Sequence, residues 1–342
     1  MTANPGHTMS DPGTPFHHGP DGRFRNLPGA PERTATAGDM LHFLLRQMTS
    51  VRAPQIPAGH VLRRADVLSR LATARDPSVT WLGHAAFILR MGGRVVLTDP
   101  FLGNAAGPFG FGPKRLVPPA LTVEELPPAD VMLISHSHYD HLDARTISAY
   151  PHKTSTRVIV PLGLRSFFTR RGYRHVSEQD WWQTRECDGL RVTALPAAHF
   201  TKRGLFDRNR TLWASFAIAC RQAKVWFSGD TARADFFPDI GRNHGPFDLA
   251  LIGIGAYEPR SIMRSVHATP EEAVEIARAV RARQAIGMHW GTIMLTPENP
   301  FDAPIRFRQA AVDQGYGGDN AWTLAIGETR TFANAPAPPG GH

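Results

Sequence analysis

The chain has 342 residues, 42% of them hydrophobic, which suffices for a large buried core in a single sandwich-type domain. No run approaches the ~20 apolar residues needed to span a bilayer, and no apolar segment follows a basic start, so a cytoplasmic protein without signal peptide or transmembrane segment is expected. The net charge of +8 favours anionic partners, including an acidic lipid surface touched peripherally. The absence of any long Lys/Arg run, zinc-finger spacing or RNA-binding signature argues against nucleic acid.

Residues 1–35 are rich in Gly, Pro, Ser, Thr and His and poor in aliphatics. Such a composition predicts a mobile arm, with His7, His17 and His18 solvated. Residues 36–78 form a predicted helical extension, because Met40, Leu41, Phe43, Leu44 and Met48 recur at the spacing of a short amphipathic helix. Residues 79–332 form the predicted catalytic domain. Its strands fall at 79–82 and 86–89, then at 94–98 after a Gly92-Gly93 turn, and at 131–135 and 158–161. Further strands are expected at 190–195, 213–220, 225–228, 249–254 and 285–289. The clearest helix starts at Thr269, with Pro270 in the first helical position, Glu272 completing a capping box, and an apolar stripe of Ala273, Val274, Ile276, Ala277 and Val280. Residues 333–342 are Pro/Gly-rich and read as a disordered tail. The two cysteines, Cys187 and Cys220, stand outside any CxxC pair and read as isolated thiols in or near the core. Many strands with interspersed helices, without strict βαβ alternation, predict an α/β protein with two sheets sandwiched between helices.

The densest chemical signal is His136-Ser137-His138-Tyr139-Asp140-His141, which directly follows an apolar strand. A strand that delivers a polar cluster places it at a sheet end, where ligand sites form. Imidazole and carboxylate suit zinc and similar divalent ions. His136 and His138 share side-chain parity and could bind one ion; Asp140 and His141, on the following turn, could bind a second. His199, Asp230 and His289 each end or follow a strand-like segment. Any one of them alone reads as hydrogen-bonded structure, but together with the cluster they complete two coordination spheres.

These motifs resemble the metallo-β-lactamase superfamily. Trp81-Leu82-Gly83-His84-Ala85, Thr98-Asp99-Pro100, Gly112-Pro113-Lys114-Arg115, Asp180-Trp181-Trp182, Gly245-Pro246-Phe247-Asp248-Leu249, Gly255-Ala256-Tyr257-Glu258-Pro259-Arg260 and His289-Trp290-Gly291-Thr292 resemble its N-acylphosphatidylethanolamine-hydrolysing phospholipase D branch. The resemblance runs from about residue 81 to about residue 330. It implies an αββα sandwich of two mixed β-sheets flanked by helices, and two Zn2+ ions per chain, with other divalent metals open. It also implies a first ion on His136, His138 and His199, a second on Asp140, His141 and His289, and Asp230 between them. The implied activity is a phospholipase D-type phosphodiesterase that releases an N-acylethanolamine and phosphatidic acid.

A metal pair lowers the pKa of bound water to about 7, which supplies a nucleophile for a phosphate ester at neutral pH. Asp140 is then both ligand and orienting group, and His267 and His84 are further catalytic candidates. Resemblance favours a site-lining role for His267. Lys202, Arg203, Arg208 and Arg210 follow His199 and could attract a phosphate, although a solvated loop is the simpler reading. Asp99, Asp143 and Asp248 read as supporting carboxylates. Two rivals remain: a sugar-phosphate lactonase or other ester hydrolase on the same site, and a non-catalytic module binding anionic surfaces. A homodimer is left open.

Overall fold

The computed structural model describes residues 15–49 and 54–332. The N-terminal helices are α1 (Ala37–Thr49) and α2 (Arg64–Thr73). The first half of the domain then carries β1 (Ser78–Gly83), β2 (Ala86–Met91), β3 (Arg94–Thr98), β4 (Val131–Leu133), α3 (Ala144–Ala149), β5 (Arg157–Pro161), α4 (Arg165–Thr169) and β6 (His175–Gln179). The second half carries β7 (Thr184–Cys187), β8 (Leu190–Leu195), β9 (Ser215–Ala219), β10 (Lys224–Phe227), α5 (Phe237–Asn243), β11 (Phe247–Gly253), α6 (Arg260–Met263), α7 (Pro270–Ala279), β12 (Ala282–Met288), α8 (Ala303–Asp313), β13 (Ala321–Trp322) and β14 (Thr329–Thr331).

Two seven-stranded mixed sheets result, in the orders β14-β1-β2-β3-β4-β5-β6 and β13-β12-β11-β10-β9-β8-β7. In the first, β14, β1, β2 and β3 pair antiparallel, and β3 to β6 pair parallel. The second repeats the scheme: β7 to β10 pair antiparallel and β10 to β13 parallel. Helices α2 and α4 lie against β14 and β6, while α7 and α8 lie against β12 and β13. This is the two-sheet sandwich expected from the sequence.

Strand burial explains the pattern. Strands β1, β4 and β8 to β11 are apolar and buried over most of their length. Covered on both faces, they show no polar alternation. Trp81, Trp213, Trp226, Phe87, Phe216 and Phe227 are fully buried in the core they share. The helix starting at Thr269 forms as expected: Glu272 N–H donates to Thr269 Oγ1 (3.2 Å), and Thr269 N–H donates to Glu272 Oε2 (2.9 Å). Cys187 is buried, Cys220 is half-buried, and neither is in a disulfide. Among the described residues no helix is long and apolar enough to cross a membrane.

The expected mobile arm needs correction for residues 15–35. His17 and His18 donate to the two oxygens of Asp180 at 2.6 and 2.7 Å, and the buried His17 ring stacks on Trp181 at 4.4 Å. Phe24 N–H donates to the Asn209 carbonyl (2.8 Å), and Arg25 N–H to the His17 carbonyl (3.0 Å). The polar composition therefore reflects hydrogen-bonding groups used by the domain rather than solvation. His7 and the tail at 333–342 lie outside the described residues. In α1, Leu41 is exposed, whereas Met40 and Phe43 face a cavity described below.

Candidate metal centre

Parallel strands end at the same edge of a sheet, and the two sheets bring their loaded ends together. β4 leads into His136–His141, β8 into His199, β10 into Asp230 and β12 into His289. The turn after β10 needs glycine: Gly229 has φ +54°, and a Cβ there would lie 2.6 Å from Ser135 Cβ. That contact sets Asp230 beside the β4 loop. His84 and His289 are braced by their neighbours. His289 N–H donates to the His84 carbonyl (3.1 Å), and His84 N–H donates to Thr292 Oγ1 (2.8 Å). Trp81 stacks on Trp290 at 5.2 Å behind them.

The seven expected ligands converge, in two sets. In one, His136 Nε2 lies 2.8 Å from His138 Nδ1, and His199 Nε2 lies 3.2 Å from the same atom. In the other, Asp140 Oδ2 lies 3.7 Å from His141 Nε2 and 3.6 Å from His289 Nε2. Asp230 stands between the sets. Its Oδ2 is 3.7 Å from both His136 and His199 Nε2 and 3.1 Å from His141 Nε2, and its Oδ1 is 3.3 Å from His289 Nε2.

The donor chemistry fits divalent cations. His141 Nε2, His289 Nε2 and Asp230 Oδ1 are buried and have no hydrogen-bond partner among the described residues. Buried polar atoms are rarely left so, and a convergent set of them is satisfied by a cation. Burial, and then the neighbouring imidazoles, hold His136 well below its ordinary pKa. Burial followed by the His199 charge brings His138 down to about 3. Burial likewise brings His199 down to about 4, against the pull of Asp230. Burial thus favours the neutral, ligating form of these three, whereas the Asp230 and Asp140 carboxylates outweigh burial at His141 and His289 and hold both above their ordinary range. Burial alone would raise the Asp230 carboxyl, but His141 and His289 hold it well below the carboxylate range.

Ring orientation is fixed from outside the cluster. His141 Nδ1–H donates to Asp99 Oδ2 (2.6 Å), and Asp99 also accepts from the Ser135 N–H at 2.7 Å. His199 Nδ1–H donates to the Val266 carbonyl (2.9 Å). Both bonds leave Nε2 facing the cluster. Asp143 caps α3 through the N–H groups of Arg145 and Thr146, and Asp248 accepts from the Lys224 N–H.

The other candidates separate. His267 lines the cavity, with its ring 5.2 Å from both His199 and His289. His84 is buried behind the cluster and donates from Nε2 to Asp140 Oδ2 (2.9 Å), so it steers that carboxylate without facing the cavity. The basic group divides as well. Arg203 donates to the carbonyls of Ser137 (2.9 Å) and Leu142 (2.7 Å) and lies 3.9 Å over the Tyr139 ring, which is a structural role. Arg210 bonds the Asp21 carbonyl, and Lys202 is exposed. Of the four, Arg208 lines the cavity.

Asn26 is the residue sequence reasoning missed. Its side-chain amide donates to the His199 carbonyl (3.0 Å) and accepts from the His199 N–H (3.1 Å) and Trp213 Nε1 (3.1 Å). The cavity over the cluster measures about 370 Å³. Its floor includes His138, Asp140, His199 and Asp230, and one wall is apolar, with Met40, Phe43, Ile262, Met263, Val266 and Leu295.

A two-sheet sandwich with His/Asp loops at one edge defines a class of protein. The model of the beta-lactamase superfamily domain matches residues 94–290, and the chain belongs to that superfamily. Within it, the chain is a metal-dependent hydrolase. It is 30% identical to a metal-dependent hydrolase of Methanopyrus kandleri over 69% of this chain and 93% of that protein. It is 42% identical to the N-acyl-phosphatidylethanolamine-hydrolyzing phospholipase D 1 of Caenorhabditis elegans over 62% of its own length, and spans 63% of the worm protein. A metallo hydrolase from Ignicoccus hospitalis shares the fold, with a TM-score of 0.55 and 21% identity over 75% of this chain and 98% of that one.

Proposed function

We propose that this protein is a phospholipase D-type phosphodiesterase with two zinc ions, cleaving N-acylphosphatidylethanolamine-like lipids to an N-acylethanolamine and phosphatidic acid. The observation that carries this reading is the cavity, where a six-residue apolar wall meets the His/Asp cluster. An acyl-bearing substrate needs an apolar surface beside the reacting phosphate, whereas a sugar-phosphate lactone would fit a small polar cup. The similarity to the worm phospholipase D supports the same substrate class.

His136, His138 and His199 would hold one ion, and Asp140, His141 and His289 the second, with Asp230 serving both. When bound, the pair supplies an activated water and stabilises charge on the attacked phosphate. The chain does the rest. His84 holds Asp140 in its orientation from behind. Burial keeps the His267 ring neutral, in position to share a hydrogen bond with the leaving oxygen. The apolar wall excludes water from one side of the reacting group. Helix α1 turns Leu41 outward beside that wall, which suits contact with a lipid surface.

The test is an assay of the zinc-loaded chain on N-acylphosphatidylethanolamine in mixed micelles, with sugar-phosphate lactones in parallel. N-acylethanolamine should appear and should vanish with a chelator or with His136→Ala/His138→Ala. Turnover of lactones with no phosphodiester cleaved would sink the reading.

A further inference from the structure

We propose that Arg33 and Arg208 form an anion subsite in the cavity wall, which takes the phosphate group of the ligand held over the His/Asp cluster. Both arginines line the cavity, from opposite regions of the chain: the N-terminal arm and the loop after His199. The Arg208 guanidinium lies 4.3 Å over the Phe200 ring, which in turn packs edge-on against His138 at 4.7 Å. The cation thus stands one aromatic ring away from a candidate metal ligand.

Among the described residues neither guanidinium has a carboxylate partner. Glu32, next to Arg33 in sequence, is exposed and forms no ion pair among the described residues, and two further acids near this pair are engaged elsewhere. Asp21 pairs with Arg23 at 3.3 Å, and Asp207 accepts from the N–H groups of Arg203 (3.1 Å) and Gly204 (2.7 Å). Burial, with the charges of Arg33 and Arg23 close by, presses Arg208 below its ordinary range. Two cations that line one cavity and are in no ion pair among the described residues repel each other, and an anion placed between them removes that repulsion. Guanidinium is also the side chain best shaped for phosphate oxygens. The stack on Phe200 holds the Arg208 plane in one orientation, so less freedom is lost when a ligand arrives.

The phosphate-ester reading above supplies the identity of the anion, and the experiment separates the two ideas. Glycerol 3-phosphate is titrated calorimetrically into the full chain after chelation, so that binding at the metal cluster does not contribute. The native chain should bind it, and Arg33→Gln/Arg208→Gln should weaken that binding about tenfold or more. Arg308→Gln, exposed on α8, should leave it unchanged, and Arg208→Lys should recover part of the loss. Dihexanoyl phosphatidate binding more tightly, with the same arginine dependence, would assign the subsite to a lipid headgroup. Equal affinity would assign it to a small phosphoester. On any phosphodiester the loaded enzyme cleaves, Arg208→Gln should raise KM about tenfold and change kcat little. No binding by the chelated native chain, or equal binding by the double variant, overturns the subsite. A failure to cleave phosphodiesters overturns only the proposed function.

Discussion

Asn26 grips the backbone of His199 from both sides, and its removal exposes how much of that ligand's placement comes from the arm. Asn26→Ala leaves a His199 N–H and C=O without their partner, at about 1–3 kcal/mol for each buried group. The variant should unfold at lower temperature and retain less metal after dialysis, read by elemental analysis. Unchanged metal content would mean that the strand alone places His199. Asp99 makes the parallel case for His141. Asp99→Asn weakens the acceptor that fixes the His141 ring, and such partners are typically worth about 10–100-fold in metal affinity. Competition with a chromogenic chelator measures it, and Asp248→Asn, on a carboxylate that bonds Lys224 away from the cluster, is the control.

At the level of elements, the capping box of α7 is a local device with a local cost. Thr269→Ala should cost about 1 kcal/mol and lower Tm by about 1–2 °C. Metal content should stay the same, because no candidate ligand sits on that helix. The box was legible because Thr, Pro and Glu occupy fixed positions at a helix start. The buried central strands were legible because they are continuous apolar runs of strand length. Edge strands were not. β6 (His-Val-Ser-Glu-Gln) and β7 (Thr-Arg-Glu-Cys) are mostly polar, and β13 and β14 have only two and three residues, so pairing with a neighbour rather than composition makes them strands. The ordered stretch of the arm escaped notice for a related reason. His17, His18 and Asn26 are polar residues whose partners lie more than 160 positions away. Local periodicity carries no trace of such pairings. The convergence of His136, His138, Asp140, His141, His199, Asp230 and His289 could be expected, since each follows a recognisable strand. The role of His84 behind Asp140 could not, because it depends on how two loops cross.

Over the whole molecule, folding and metal loading should be coupled. A site assembled only in the folded chain adds stability by mass action, about 4 kcal/mol for one site at a thousandfold excess over Kd. Chelation should therefore lower Tm by several degrees, and zinc should restore it. An unchanged melting curve would show that the cluster forms no tight site. The same pairing scheme occurs in both sheets, and the candidate ligands are divided between them. His136, His138, Asp140 and His141 come from the first sheet, and His199, Asp230 and His289 from the second. Each half thus carries an incomplete set of donors. If the chain were severed in the link between β6 and β7, the cations would act as the rivet between two fragments, and reassembly should follow the zinc concentration. The C-terminal fragment would also have to lend β14 back to the first sheet, beside β1.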